Sequence, residues 1–227
     1  MSDIVRVLST LAVKSAVLDL VEPYHQTTGC RIDADFAPTL ALLDRLRGGA
    51  AADLVILTRE GLRELADEGQ VIAASCLDLA RSYVGVAIRS GSPHPDISDE
   101  AALRQALLAA RVAYSRIGAS GILFADLIKR MGIAAEIEAR AVILPSGLTA
   151  ERLISGDADL AIQQISELKQ VEGIEVVGPI PHALQTPAVF SVGRMTTSPH
   201  HVQAERLLRH LASSGFAEAL RNAGLEP

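Results

Sequence analysis

The sequence predicts an α/β protein of two lobes with a ligand cleft between them, and three observations lead there. Short apolar runs alternate with amphipathic helical stretches from the first residues onward, which is the grammar of βαβ units. The same alternation restarts near residue 81 as a second set. The 227 residues are long for one domain and short for two independent ones. They are 49% apolar but only 3% aromatic, with no Trp, so the core has to be Ala, Leu, Ile and Val packed between helices and parallel strands.

The elements follow in order. Ile4 to Leu8 reads as a strand, Val13 to Thr27 as an amphipathic helix, Arg31 to Phe36 as a strand, and Leu40 to Arg47 as a helix ended by Gly48 and Gly49. Asp53 to Leu57 is a continuous apolar run after one acid, as expected of a strand buried on both faces; Glu60 to Glu68 is a helix closed by Gly69. Ser82 to Arg89 reads as a strand ending in the turn Ser90-Gly91-Ser92-Pro93. The second set comprises a helix from Asp99 to Ala110 with Ser98 as its N-cap, a strand from Arg111 to Ser115 and a helix from Ser120 to Met131. A strand from Ala139 to Leu144, a helix from Leu148 to Ser155 and a strand from Asp159 to Gln163 complete it. Ile174 to Val177 and Ala188 to Val192 are further strands; Ser198 to Leu211 and Phe216 to Ala223 are closing helices that return to the first lobe. Lobe I is thus expected to comprise residues 1–80 and 188–227, and lobe II residues 81–187. No low-complexity tract or solenoid period interrupts this order.

Composition excludes several functions. A net charge of −6, with no Lys/Arg block longer than two residues, argues against a nucleic-acid partner. No apolar run approaches the roughly 20 residues that span a bilayer. Met1-Ser2-Asp3 lead straight into a strand pattern with no basic segment, apolar segment or cleavage site. The chain as written is therefore expected in the cytoplasm, or in the periplasm if a leader has been removed. Cys30 and Cys76 lie far apart outside any CxxC or Cys/His pattern, so no metal site is expected; inert thiols are the simple reading and a disulfide the other. Phosphate-binding loops, GxSxG elbows and HExxH motifs are absent, and no cofactor is expected.

The candidate chemistry lies where strands pass into helices. Four such junctions carry hydroxyls: Ser9-Thr10, Pro38-Thr39, Ser115 followed by Ala119-Ser120-Gly121, and Pro145-Ser146-Gly147. Each can serve simply as an N-cap. Together they can also turn free N–H groups and helix dipoles toward a small anion, each helix favouring it by roughly 0.3 to 1 kcal/mol when exposed. The run from Ala158 to Leu168 ends a buried strand with Gln163, Gln164 and Ser166, uncharged hydrogen-bonding groups at the end of a strand where α/β folds collect ligands. The histidines 25, 94, 200, 201 and 210 lie in loops or on surface helices. His182, beside Gln185 in Pro181-His182-Ala183-Leu184-Gln185, falls near the return crossing between lobes. Arg59 could meet a carboxylate in a bidentate fork or simply start a helix.

The opening strand and helix resemble those of the periplasmic molybdate-binding proteins of ABC transporters. So do Asp35-Phe36-Ala37-Pro38-Thr39, the run from Leu46 to Ile56 with its Gly-Gly-Ala-Ala-Ala-Asp-Leu segment, and the Ala119-Ser120-Gly121 turn. The resemblance spans nearly the whole chain. It implies a type II periplasmic-binding-protein-like fold, a small anionic ligand and a transporter permease as partner. By register it implies Thr39 and Ser120 as ligand positions; with Ser9, Thr10 and Ser146 from the other junctions and Gln164 and Gln185 from the Gln-rich segments, these are the ligand-binding candidates. Two positions depart from the family: Ala12 stands where a first ligand Ser is expected, and Gln164 replaces a Tyr. Each lost donor leaves a ligand oxygen unpaired at a cost of roughly 1 to 3 kcal/mol. With the Gln-rich run, these departures resemble a divergent branch of the family, that of aconitate isomerase. Planar amides, which offer donors and acceptors together, suit a planar carboxylate better than a tetrahedral oxyanion.

Two functions are therefore expected in order: binding of a small oxyanion or organic carboxylate as a transporter's solute receptor, and isomerisation of an aconitate-like tricarboxylate. The second needs a base within about 3 Å of an acidic C–H. The sequence singles out none; His182 and Lys14 are the candidates.

Overall fold

A computed structural model describes residues 4–227; Met1, Ser2 and Asp3, read above as leading into the first strand, lie outside the described residues. The chain divides into two compact units, Met1–Arg81 with Ala188–Pro227, and Ser82–Pro187, so the polypeptide passes between them twice.

The first unit holds β1 (Ile4–Ser9), α1 (Lys14–Thr28), β2 (Arg31–Phe36), α2 (Thr39–Arg47), β3 (Leu54–Thr58), α3 (Arg59–Asp67) and β4 (Leu77–Ser82). The second holds β5 (Val84–Arg89), α4 (Glu100–Ala109), β6 (Val112–Ser115), α5 (Ala119–Arg130), α6 (Ala134–Glu138) and β7 (Val142–Leu144). It continues with α7 (Glu151–Ile154), β8 (Leu160–Gln164), α8 (Ile165–Leu168) and β9 (Ile174–Pro179). The chain then returns to the first unit for β10 (Ala188–Arg194), α9 (His201–Leu211) and α10 (Ser214–Asn222).

The first sheet runs β2-β1-β3-β10-β4. β1 pairs in parallel with both β2 and β3, whereas β10 is antiparallel to β3. Central β3 is buried throughout, and its side chains part by the two-residue period of a strand. Leu54 and Ile56 join Val5, Val7, Val17 and Phe190 beneath α1, α9 and α10, while Val55 and Leu57 join Leu42, Leu46, Leu62 and Leu65 beneath α2 and α3. At roughly 1.5 to 3 kcal/mol for each fully buried aliphatic side chain, this three-layer core holds the ends of β1, β2 and β3 in fixed register. Gly29, left-handed at φ 72°, ends α1 and donates its N–H to the His25 carbonyl.

The second sheet runs β7-β6-β8-β5-β9, with β6 parallel to β7 and β8, and β5 antiparallel to β8 and β9. Leu160 and Ile162 of β8 face the larger core with Tyr114 and Phe124, whose rings meet edge-on at 5.0 Å. Ala161 faces the opposite side with Ala87, Ala113 and Ala158.

Several sequence expectations are corrected. The sheets are mixed rather than wholly parallel, because the chain that crosses between units adds β10 and β5 in the reverse sense. A strand, β4, precedes the expected one at Ser82, and that one begins at Val84. Asp99, not Ser98, caps α4: its Oδ1 accepts from the Ala102 N–H at 2.8 Å, while the Ser98 N–H is spent on Asp96. The stretch expected as a strand from Ala139 begins only at Val142, because Ala134–Glu138 form a helical turn that buries Ile137. The helix expected from Leu148 shrinks to α7, because Thr149 is held by a side chain of β8, as described below. Cys30 and Cys76 are unbridged thiols, the first buried and the second exposed.

Candidate functional site

Each unit gathers polar groups at the ends of its parallel strands. In the first, Ser9 pairs with Phe36 of β2 and Ile56 of β3, so β1 and β2 finish level while β3 runs two residues further to Thr58. The Ser9 carbonyl accepts from the Ala37 N–H at 3.1 Å and the Ile56 carbonyl from the Thr10 N–H at 3.0 Å, which ties each strand's exit to its neighbour. Ser9 is buried and its hydroxyl donates to the Thr10 carbonyl at 3.2 Å. Thr10 is also buried, and its hydroxyl has no hydrogen-bond partner among the described residues. A buried hydroxyl left unpaired costs free energy, and a ligand oxygen would relieve that cost.

Thr39 is the buried first residue of α2, a helix that starts after Pro38 without a side-chain cap. Gly61 lets α3 approach it. A Cβ on Gly61 would stand 3.3 Å from both Thr39 Cγ2 and Thr58 Oγ1. Thr58 caps α3 by accepting from the Gly61 N–H, so its hydroxyl is engaged. Lys14 opens α1 and holds its ammonium 5.9 Å from the centre of the Phe36 ring, which brings a positive charge to the same end of the sheet. Arg59 is removed from the candidates. It pairs with Asp78 at 3.1 Å, and Asp78 also accepts from the Ser191 hydroxyl.

In the second unit, β6 and β8 run parallel and finish at one edge, where α5 begins. Ser120 is buried in the first turn of α5, which also lacks a side-chain cap. That turn sits directly on the end of β6: a Cβ on Gly121 would fall 1.2 Å from the Ser115 carbonyl oxygen. Gln164 ends β8 fully buried, and Ser166 beside it is 0% exposed with a hydroxyl that has no partner among the described residues.

The amides divide. Gln163 is spent on architecture: its Oε1 accepts from the Thr149 N–H at 2.7 Å and hydroxyl at 3.0 Å, and its Nε2 donates to the Gly147 carbonyl. Gln185 is a correction of the same kind. Its Oε1 accepts from the Val84 N–H at 2.8 Å and its Nε2 donates to the Val84 and Ile180 carbonyls, so no amide group is left for a ligand. Ser146 lies exposed in the bend after β7, one residue before the anchored segment. His182 is exposed and meets the Tyr83 ring edge-on at 4.8 Å. The Tyr83 carbonyl accepts from the Ile165 N–H, which places this pair at the Gln164 end of the sheet.

Glu167 is the residue that the sequence reading did not single out. It is 8% exposed, and its Oε2 accepts from the Gln164 N–H at 3.3 Å. Among the described residues it forms no ion pair. Burial pushes its carboxyl up to about 7 against the pull of the Gln164 N–H and the Gln163 side chain. The available signal was the spacing Gln164-x-x-Glu167 after a buried strand, the mark of a helix start. No cluster of metal-ligating side chains occurs among the described residues.

Residues 5–226 match the family model described as bacterial extracellular solute-binding protein. The chain belongs to this family. Solute-binding proteins of known structure share its fold across nearly the whole length. The periplasmic molybdate-binding protein of Azotobacter vinelandii superposes with a TM-score of 0.82 at 16% identity, covering 98% of this chain and 99% of that one. The sulfate-binding protein of Mycobacterium tuberculosis does so at 0.77 and 17% identity, covering 99% and 87%. The two α/β units thus form the type II periplasmic-binding-protein fold. A curated relative, the aconitate isomerase of a Pseudomonas species, is 34% identical over 227 residues, which is 97% of this chain and 87% of that protein. No described helix of this solute-binding family member is long and apolar enough to cross a membrane.

Proposed function

We propose that the chain binds a small organic carboxylate or related oxyanion; the candidate contacts are Ser9, Thr10 and Thr39 in the first unit and Ser120 and Gln164 in the second. The observation that carries this reading is the matched pair of helix starts. α2 and α5 each begin at a strand end without a side-chain cap and with a buried hydroxyl in the first turn. Helix starts of this kind favour negative charge. Family membership supports a receptor role, with a transporter permease as partner, and the family's description as extracellular supports the exported location.

Replacing Thr39 or Ser120 with alanine should weaken ligand binding about tenfold, since each change removes a hydrogen bond to a charged group. Titration calorimetry across a panel of molybdate, sulfate, citrate and cis-aconitate measures it. Unchanged affinity in both variants would sink the site.

The relative at 34% identity favours a second reading, in which the bound tricarboxylate is rearranged rather than handed on. Glu167 supports it by supplying a buried ionisable group in addition to the candidates His182 and Lys14. Proton NMR of the protein with cis-aconitate separates the two. Line broadening alone fits a receptor, and growth of trans-aconitate resonances establishes an isomerase.

A further inference from the structure

Glu167 occupies a place where its ordinary role does not require an acid. It stands third in the helical turn Ile165–Leu168 and reaches back to the N–H of Gln164, as Glu does in a capping box. A glutamine caps the same N–H equally well and carries no charge into the interior. An unpaired carboxylate at 8% exposure is costly, because desolvation penalises the charged form and no Arg, Lys or His among the described residues pairs with it. α8 packs on β8, β5 and β9, whose charged groups are Arg89 and Glu175. Glu175 is bound to His94 at 2.8 Å. The Ser166 hydroxyl next to Glu167 is fully buried and has no partner among the described residues. An acid and an unsatisfied hydroxyl thus stand together at the end of β8, the strand that carries Gln164 to the candidate site.

Resting on the isomerase reading above, we propose that Glu167 is the base that moves a proton along the substrate's carbon chain. The chemistry asks for one such group. In cis-aconitate a CH2 flanked by a carboxylate and by the substituted carbon of the double bond carries the acidic hydrogens. The Glu167 carboxylate takes one of them. The C–H electron pair forms a new double bond to the central carbon, and the electrons of the old double bond move to the far carbon and into its carboxylate. The carboxylic acid then returns a proton to that far carbon, which becomes the CH2. One C–H bond breaks and one forms, the base ends as it began, and neither an oxidant nor a co-reactant is needed. The new double bond is trans when the bound conformer of the original CH2 arm sets it so. A base whose pKa lies near working pH serves both halves of this shift, and burial holds Glu167 at about 7.

The test uses the whole chain with cis-aconitate as probe, followed by proton NMR. Wild type is expected to form trans-aconitate, with a rate that rises with pH through a midpoint near 7, where burial holds the Glu167 carboxyl. Glu167→Gln is expected to lose at least about a hundredfold in turnover while binding cis-aconitate within about threefold of wild type. Glu167→Asp is expected to retain partial turnover with a shifted pH midpoint, a result that a merely structural role would not produce. Wild-type turnover retained in Glu167→Gln overturns the role of Glu167 and leaves the isomerase reading standing. Absence of turnover in wild type overturns that reading and the proposal with it. If Glu167→Gln does not fold, a wild-type rate that is flat between pH 5 and 9 overturns the proposal.

Discussion

Gly121→Ala should remove at least about 3 kcal/mol of stability from the second unit and abolish ligand binding. The added Cβ would lie 1.2 Å from the Ser115 carbonyl oxygen and 2.4 Å from its carbon. Both are backbone atoms of β6 and its exit, so no side chain can rotate aside. α5 would have to lift off the end of the strand or unwind its first turn, and either change displaces Ser120 from the end of β6. Gly215→Ala is the control. It is also a helical glycine near a start, but its Cβ would meet nothing closer than the Ser213 hydroxyl at 3.8 Å. There the greater helix propensity of Ala should leave stability equal or raise it by up to about 1 kcal/mol. Thermal unfolding of the three proteins, with calorimetric titration, reads both effects. A Gly121→Ala protein with wild-type melting and affinity would show that α5 does not need its close seat on β6.

The fold was legible because its core is written in aliphatic runs. Leu54–Thr58 and Leu160–Gln164 are short apolar strands followed by helical periods, and a strand buried on both faces leaves that signature in sequence. β4 escaped because Asp78, Arg81 and Ser82 break its apolar pattern; its place is set by pairing beside β10, more than a hundred residues away. The hydroxyl-bearing junctions were legible at Thr39 and Ser120, where a helix start follows a strand within a few residues. The amides were not. What Gln163 and Gln185 do depends on Thr149 and on Val84, and the latter lies 101 positions from Gln185. Local pattern cannot distinguish a glutamine facing a ligand from one holding a loop. Glu167 was hidden for a related reason: an acid in a short polar run reads as solvated, and only the packing of α8 on β8, β5 and β9 reveals that it is buried.

That burial has a thermodynamic consequence independent of catalysis. Glu167 titrates near 4.5 when unfolded and near 7 when folded, so the folded protein holds the proton more tightly. The stabilising effect of protonation is fully present below about pH 4.5 and is lost as pH rises toward and through about 7. The difference between the two values corresponds to about 3 kcal/mol lost above pH 7. Glu167→Gln keeps an oxygen for the Gln164 N–H and removes the ionisation. It should therefore match wild type at pH 4.5 and exceed it by about 3 kcal/mol at pH 8, measured as the difference in urea unfolding between the two proteins at each pH. A stability difference that stays constant from pH 4.5 to 8 would mean that Glu167 is ionised in the folded protein over the whole range, with water or an unseen partner paying its desolvation. A variant more stable than wild type yet without turnover would identify Glu167 as an acid whose stability cost accompanies function, since a group present only to cap α8 would do better as the amide.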